Sequence, residues 1–118
     1  IEKMGQWVKG KSHDTFGPVG PYLVTKDEIN DVNNLNMELD LNGERMQTGN
    51  TKTMIFNVDH IVSYVSRYMS LQPGDIITTG TPPGVGMGMK PQKFLKAGDE
   101  MRLSIELLGE QKSKVVAI

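Results

Sequence analysis

The sequence predicts an α+β fold, mainly antiparallel β with one substantial helix. Three patterns carry that expectation. Met37, Leu39 and Leu41 alternate with Glu38 and Asp40 and run straight into Asn42-Gly43. That is the period of a half-buried strand followed by a strong signal for a two-residue hairpin turn. Met101, Leu103, Ile105 and Leu107 alternate in the same way with Arg102, Ser104 and Glu106. Between them the period changes: Val58, Ile61, Val62, Val65, Tyr68 and Met69 fall three and four apart, one face of a helix over about residues 57–70.

The remaining elements follow from local chemistry. Ile1-Glu2-Lys3-Met4 is too short and too polar for a buried parallel strand. Leu23-Val24-Thr25 reads as a short strand ended by the polar run Lys26 to Asn34, and Glu44 to Gln47 should return antiparallel after the hairpin turn. Asn57 suits the helix N-cap, and Asp59 suits the positive end of its dipole. Gln72-Pro73-Gly74 then turns the chain into a strand over Asp75-Ile76-Ile77-Thr78-Thr79. Gly80 to Met89, with four glycines and two consecutive prolines, is a loop. Gly109-Glu110 is expected to turn the last hairpin into a strand over Lys114 to Ile118.

Bulk properties narrow the function. A chain of 118 residues fits one compact unit. Its net charge of −1 comes from thirteen basic and fourteen acidic residues that are intermixed, leaving no basic face for nucleic acid or a membrane surface. No apolar run has the length of a membrane span, and no signal peptide is expected. Cysteine is absent, which excludes thiolate chemistry and suits a reducing cytoplasm, the expected location. The eight methionines are read as core filler. Because the chain opens on Ile1, with no turn or cap signal before it, it reads as the later part of a longer polypeptide.

Gly5-Gln6-Trp7-Val8-Lys9-Gly10-Lys11-Ser12 matches the P-loop pattern at every required position. A P-loop needs a helix after its lysine, whose free N–H groups hold phosphate. Here His13-Asp14-Thr15-Phe16-Gly17-Pro18-Val19-Gly20-Pro21 follows, and its prolines and glycines forbid one. The match is read as accidental. Lys11 could bind a carboxylate or stabilise an enolate from so stiff a segment, although local sequence alone favours a solvated surface lysine. Thr15 could orient a ligand oxygen, or bond its own turn. His13, beside Asp14, is a possible general base, and His60 lies off the helix stripe; both are read as solvent-facing. Among the carboxylates, Asp27-Glu28-Asp31 and Asp99-Glu100 form no ligand pattern. Glu38 and Asp40 share a strand face and are more simply its wet side. Thr78-Thr79-Gly80-Thr81-Pro82-Pro83-Gly84 opens a strand into a glycine loop, a place where ligands approach backbone closely. No complete metal site is visible.

Taken together, Gly10-Lys11-Ser12-His13-Asp14-Thr15-Phe16-Gly17-Pro18-Val19-Gly20-Pro21 and Asp27-Glu28-Ile29 resemble a stretch of the fumarylacetoacetate hydrolase family. So do Gln47-Thr48-Gly49-Asn50-Thr51 with Met54-Ile55-Phe56, Leu71 to Pro82, and Phe94 to Asp99, in one register over essentially the whole chain. The resemblance implies an intertwined β-roll, with residues 1–118 as the C-terminal part of a single catalytic domain, in a homodimer. It implies a divalent cation, Mg2+ or else Mn2+ or Ca2+, whose direct carboxylate ligands belong upstream of Ile1. It further implies hydrolysis of a C–C bond in a small 2,4-diketo acid through an enolate, with Lys11 neutralising charge, Thr15 near the metal, and Gly80 and Thr81 binding the 2-oxo acid. The Gly-Gln-Trp stretch before Gly10 is most similar to the bacterial branch of diketo-deoxy-sugar-acid hydrolases and ureidoglycolate lyases. Decarboxylase, isomerase or lyase chemistry on the same scaffold is the alternative within enzymes. A catalytically silent dimerisation or binding module is the alternative outside them.

Overall fold

The computed structural model describes residues 5–117. Four strands make one antiparallel sheet: β1 (Asn36–Leu41), β2 (Glu44–Asn50), β3 (Glu100–Ile105) and β4 (Gly109–Lys114), in the order β2-β1-β3-β4. The fold is the expected α+β class. Two hairpins form, β1–β2 at the expected turn and β3–β4 at a different one, and pairing of β1 with β3 (Leu39 opposite Leu103) joins them. In the first turn Asn42 and Gly43 have φ of 52° and 80°, the double left-handed geometry that matches strand twist. The Asn42 side chain also accepts from the Glu100 N–H and donates to Asp99, each at 2.9 Å, stitching this turn to the start of β3.

The sheet has two chemically different faces. Glu38 and Asp40 lie on the polar one, as expected, within a run of ion pairs across the strands. Arg45 binds Glu38 at 2.6 Å and also Asp40; Arg102 binds Asp40 at 3.1 Å and Glu110 at 2.5 Å. The hydrogen bond from Arg45 is the main reason that the Asp40 carboxyl is held below its ordinary range, and Arg102 does the same for Glu110. Met37, Leu39, Leu41, Leu103 and Ile105 alternate onto the other face.

One irregularity decides what joins them. Asp40 faces Arg45 and Leu39 faces Gln47, so Met46 is an extra residue on β2. Side chains alternate along a strand, so one inserted residue carries everything beyond it to the opposite face. Without the bulge, Gln47 would stand opposite Glu38 on the charged side. With it, Gln47 joins Leu39 on the apolar side and is buried.

The helical elements differ from expectation in length and place. Helix α2 covers Val58–Val65, capped by the Asn57 side chain accepting from the His60 N–H at 2.9 Å. It stops before residue 70 because Ser66 donates its hydroxyl to the Ser63 carbonyl, and the next turns tighten to Arg67→Tyr64 and Tyr68→Val65 bonds. A short helix α1 spans Trp7–Lys11, where the sequence pattern predicts none.

Three strand expectations fail. Residues 23–25 and 75–79 have no ladder partner among the described residues. An extended segment becomes a strand only when a neighbour takes its hydrogen bonds, and periodicity does not supply one. The last hairpin turns at Glu106–Leu108 rather than at Gly109-Glu110, so its return strand is Gly109–Lys114 and not 114–118. Leu107 takes the left-handed position, φ 65°, that a glycine would normally announce. Ile118 and the reading of Ile1–Met4 lie outside the described residues.

Among the described residues the buried apolar side chains are Ile29, Leu35 and Leu41. Ile55 and Leu23 are 92% and 91% exposed, and Trp7, Phe56 and Ile76 are also open. Of the described methionines, Met69 and Met87 are exposed, while Met37, Met46, Met54, Met89 and Met101 are half-buried.

Candidate functional site

The site is built on one row of the sheet. Register places Gln47 beside Leu39, Leu39 beside Leu103 and Leu103 beside Gln111, so two leucines lie between glutamines on the outer strands. Each glutamine amide reaches up to a loop. Gln47 donates to the Thr81 hydroxyl at 2.9 Å and to the Pro82 carbonyl at 2.7 Å. Gln111 donates to the Gly20 carbonyl at 2.9 Å and, more distantly, to that of Pro18. Two stiff loops, Phe16–Pro21 and Gly80–Gly84, are thus moored at opposite edges of the apolar face. Between them lies a cleft of about 470 Å³, floored by Leu39, Leu103 and Ile105 and walled by Gly20, Thr81 and Pro82. Apolar floor with a few fixed polar groups is the usual composition of a small-molecule site.

The Gly80–Gly84 loop lies close to β2 because two positions carry no side chain. A Cβ on Gly49 would come within 2.7 Å of Pro82, and one on Gly84 within 2.1 Å of the Met46 carbonyl. The Met46 bulge therefore does two things: it swings Gln47 under the loop and presents a carbonyl that only glycine can approach. On the far side of the same loop a second hollow of about 380 Å³ is lined by Thr51, Met54, Phe56 and Thr79. Gly80, Thr81 and Pro82 are a partition with space on both sides.

Residues 1–116 match the profile of the fumarylacetoacetate (FAA) hydrolase C-terminal family. The chain belongs to the fumarylacetoacetate hydrolase family. It is 65% identical over 111 residues to the 2,4-didehydro-3-deoxy-L-rhamnonate hydrolase of Sphingomonas sp. strain SKA58, covering 93% of this chain and 39% of that protein. The fumarylacetoacetate hydrolase of Exiguobacterium antarcticum superposes with a TM-score of 0.90 at 46% identity, over 93% of this chain and 39% of its own. The maleylpyruvate hydrolase of Sphingobium sp. SYK-6, in a crystal structure with manganese(II) and pyruvate, gives 0.80 at 40% identity, over 88% and 37%. The chain thus spans about two-fifths of the length of these relatives.

Of the family positions singled out in the sequence, Gly80 and Thr81 line the cleft. Lys11 does not; it closes helix α1, exposed, with its ammonium 5.5 Å above the Trp7 ring. That placement also disposes of the P-loop reading. The lysine stands at the C-terminal end of a single helical turn, where the dipole repels phosphate, and not before an N-terminus. Thr15 is exposed at φ 66°, a left-handed value that costs a β-branched residue energy and that clusters at functional sites. His13 packs on Phe16, and His60 stacks between Phe56 and Tyr64 at 4.7 and 6.2 Å; both are exposed.

Among the described residues no three His, Asp or Glu side chains converge as metal ligands. The pair Glu38 and Asp40 on one strand face is already neutralised by Arg45 and Arg102. These residues do not by themselves fit a divalent cation. Nor is any helix among them long and apolar enough to cross a membrane. Sequence reasoning does not single out Gln47 or Gln111. Gln47 lies inside a stretch that resembles the family, but nothing local gives it a role; Gln111 lies in a polar strand with no signal.

Proposed function

We propose that this chain is the C-terminal part of a hydrolase that cleaves a carbon–carbon bond in a small 2,4-diketo acid, of which a didehydro-deoxy sugar acid is the favoured example. The observation that carries the proposal is the cleft itself. A rigid Gly80-Thr81 turn, held from beneath by Gln47, offers a hydroxyl beside an apolar floor, which suits an acid with an oxygen-rich head and a carbon chain. The 65% identity to a hydrolase of that substrate class supports it, as does a 40% identical structure that holds pyruvate, a 2-oxo acid.

In such a reaction water adds to the C4 carbonyl and the C3–C4 bond breaks. Its electron pair moves into the C2 carbonyl as an enolate, which takes a proton at C3. One carboxylic acid and one 2-oxo acid leave. Thr81, with Gly80, is assigned to the substrate carboxylate or keto oxygen. Lys11 and Thr15 are assigned to charge neutralisation and oxygen positioning through their family positions. A divalent cation, Mg2+ or else Mn2+ or Ca2+, is proposed with ligands outside residues 1–118, since the described residues do not fit one. A cytoplasmic homodimer completes the proposal.

The test uses the full-length protein with Mg2+, acylpyruvates and a 2,4-diketo sugar acid, with oxaloacetate to expose a decarboxylase. Release of a 2-oxo acid from the diketo substrates is expected. Loss of one hydrogen bond to a charged ligand corresponds to about 1.5–3 kcal/mol, so Thr81→Val should lower kcat/KM by roughly 10- to 100-fold. Turnover of oxaloacetate alone would overturn the hydrolase assignment, and full activity in Lys11→Ala would overturn the role given to Lys11.

A further inference from the structure

We infer that Gln47 is a positioning residue that fixes the polarity of Thr81, making its hydroxyl a hydrogen-bond donor toward the cleft. The inference rests on the reading of Thr81 as a ligand-binding group and adds to it a second residue and a direction. The Pro82 carbonyl can only accept, so the Gln47 atom 2.7 Å from it is the NH2 and not the oxygen. The same nitrogen is 2.9 Å from the Thr81 hydroxyl oxygen. Its two protons go to these two nearer partners, the Pro83 carbonyl standing farther off at 3.5 Å, and Thr81 is the acceptor of its bond. Its own proton must go elsewhere. Within the chain its acceptor is the Pro82 carbonyl at 3.4 Å, a long contact to an oxygen that also accepts the shorter bond from Gln47, so a better acceptor entering the cleft can take the proton.

The Thr81 proton therefore belongs to whatever enters the cleft. A group so arranged favours an acceptor-only oxygen, such as a carboxylate, a keto oxygen or an enolate, over a hydroxyl that must donate. Burial makes the arrangement firm. Gln47 is 9% exposed, held on a strand by the Met46 bulge, and capped by prolines at 82 and 83. A glutamine in this place cannot rotate its amide without setting its oxygen against the Pro82 carbonyl.

The experiment is calorimetric titration of oxalate, an acceptor-only dianion, into the full-length Mg2+-loaded protein. Wild type, Gln47→Glu, Thr81→Val and the double variant are compared at pH 8 and near pH 6. At pH 8 the carboxylate introduced by Gln47→Glu takes the Thr81 proton for itself, and oxalate affinity should fall about 10- to 100-fold. A carboxyl buried against carbonyls has a raised pKa, so affinity should recover toward about pH 6 as the acid regains a proton to donate. A purely structural role for Gln47 would give no such recovery. Thr81→Val should bind weakly at both pH values, and adding Gln47→Glu should cost nothing more. Should Gln47→Glu not fold, Gln47→Met, which keeps the volume and cannot donate, enters the same cycle. Unchanged affinity in the Gln47 variants, or additive losses in the double variant, would overturn the inference while leaving the Thr81 reading intact. Unchanged affinity in Thr81→Val would remove that reading and this inference together.

Discussion

Three glycines on or beneath the Gly80–Gly84 loop separate the two physical reasons that a glycine can be required. Gly80 has φ +97°, and a Cβ there would meet nothing within 4 Å; Gly49 has no left-handed φ but would meet Pro82 at 2.7 Å; Gly84 has both, φ +110° and the Met46 carbonyl at 2.1 Å. Gly80→Ala should cost only backbone strain, about 1–2 kcal/mol. Gly49→Ala should cost an overpacking of about 1–3 kcal/mol. In Gly84→Ala the loop must retreat by about 1.3 Å to restore the 3.4 Å at which ordinary contact begins. That retreat takes the Pro82 carbonyl beyond hydrogen-bond range of Gln47 and loosens Thr81 with it. Strain, overpacking and two weakened hydrogen bonds together give about 3–8 kcal/mol. Urea denaturation of the three full-length variants measures the order. If Gly84→Ala lay within about 1 kcal/mol of Gly80→Ala, the close approach of loop and bulge would not be what requires glycine at 84.

Two further outcomes follow from the sheet. Leu107 is 62% exposed at φ 65°, so Leu107→Asn should relieve left-handed strain at little hydrophobic cost and raise stability by about 1 kcal/mol in thermal unfolding. A loss of stability would mean that Leu107 is covered in the assembled protein. The carboxyls of Asp40 and Glu110, paired with arginines, and Asp99, bonded to Asn42, are all held below their ordinary range. A depressed folded-state value gives stability that is complete above the unfolded value of about 4 and lost as pH falls through the folded one. Asp40→Asn should therefore lower stability at pH 7 and converge with wild type toward about pH 2 in denaturant titrations across pH. A constant gap over that span would refute the pairing.

Whatever a local pattern dictates is legible in the sequence. The β1–β2 turn is written in Asn42-Gly43, the α2 cap in Asn57, and the apolar face in the alternation of Met37, Leu39 and Leu41. Two-sidedness of the sheet follows from that alternation alone. Pairing is not legible. Residues 75–79 have the composition of a strand, yet strand identity belongs to a pair of segments, and one sequence names only the first. The Leu107 turn escapes notice because the residue there is the wrong type for its conformation, so the usual signal is absent. Gly80 and Thr81 stand out as a glycine loop after an apolar run; Gln47 does not, because nothing nearby in the chain tells which face of β2 it occupies.

The face of Gln47 is decided by Met46, and that is where the strands turn from scaffold into site. Count the β2 residues without the bulge and an amide points among arginines and carboxylates, where it has nothing to hold. Insert one residue and the same amide lies under Pro82 and Thr81, across two leucines from Gln111 and the Gly20 carbonyl. Each loop is then tied by backbone carbonyls, which no side-chain substitution within the loop removes. Loop residues facing the cleft are consequently free to differ while the loop positions stay put. A fold that fixes two loops this way can present different side chains to different ligands without rebuilding its sheet. Gln111→Leu in the full-length protein tests the logic from the other edge. It should leave the Thr81 side of the cleft intact while releasing the Phe16–Pro21 loop, and faster amide hydrogen exchange confined to residues 16–22 is the expected readout. Loosening that spread to residues 80–84 would mean that the two loops are held as one unit and not by separate glutamines.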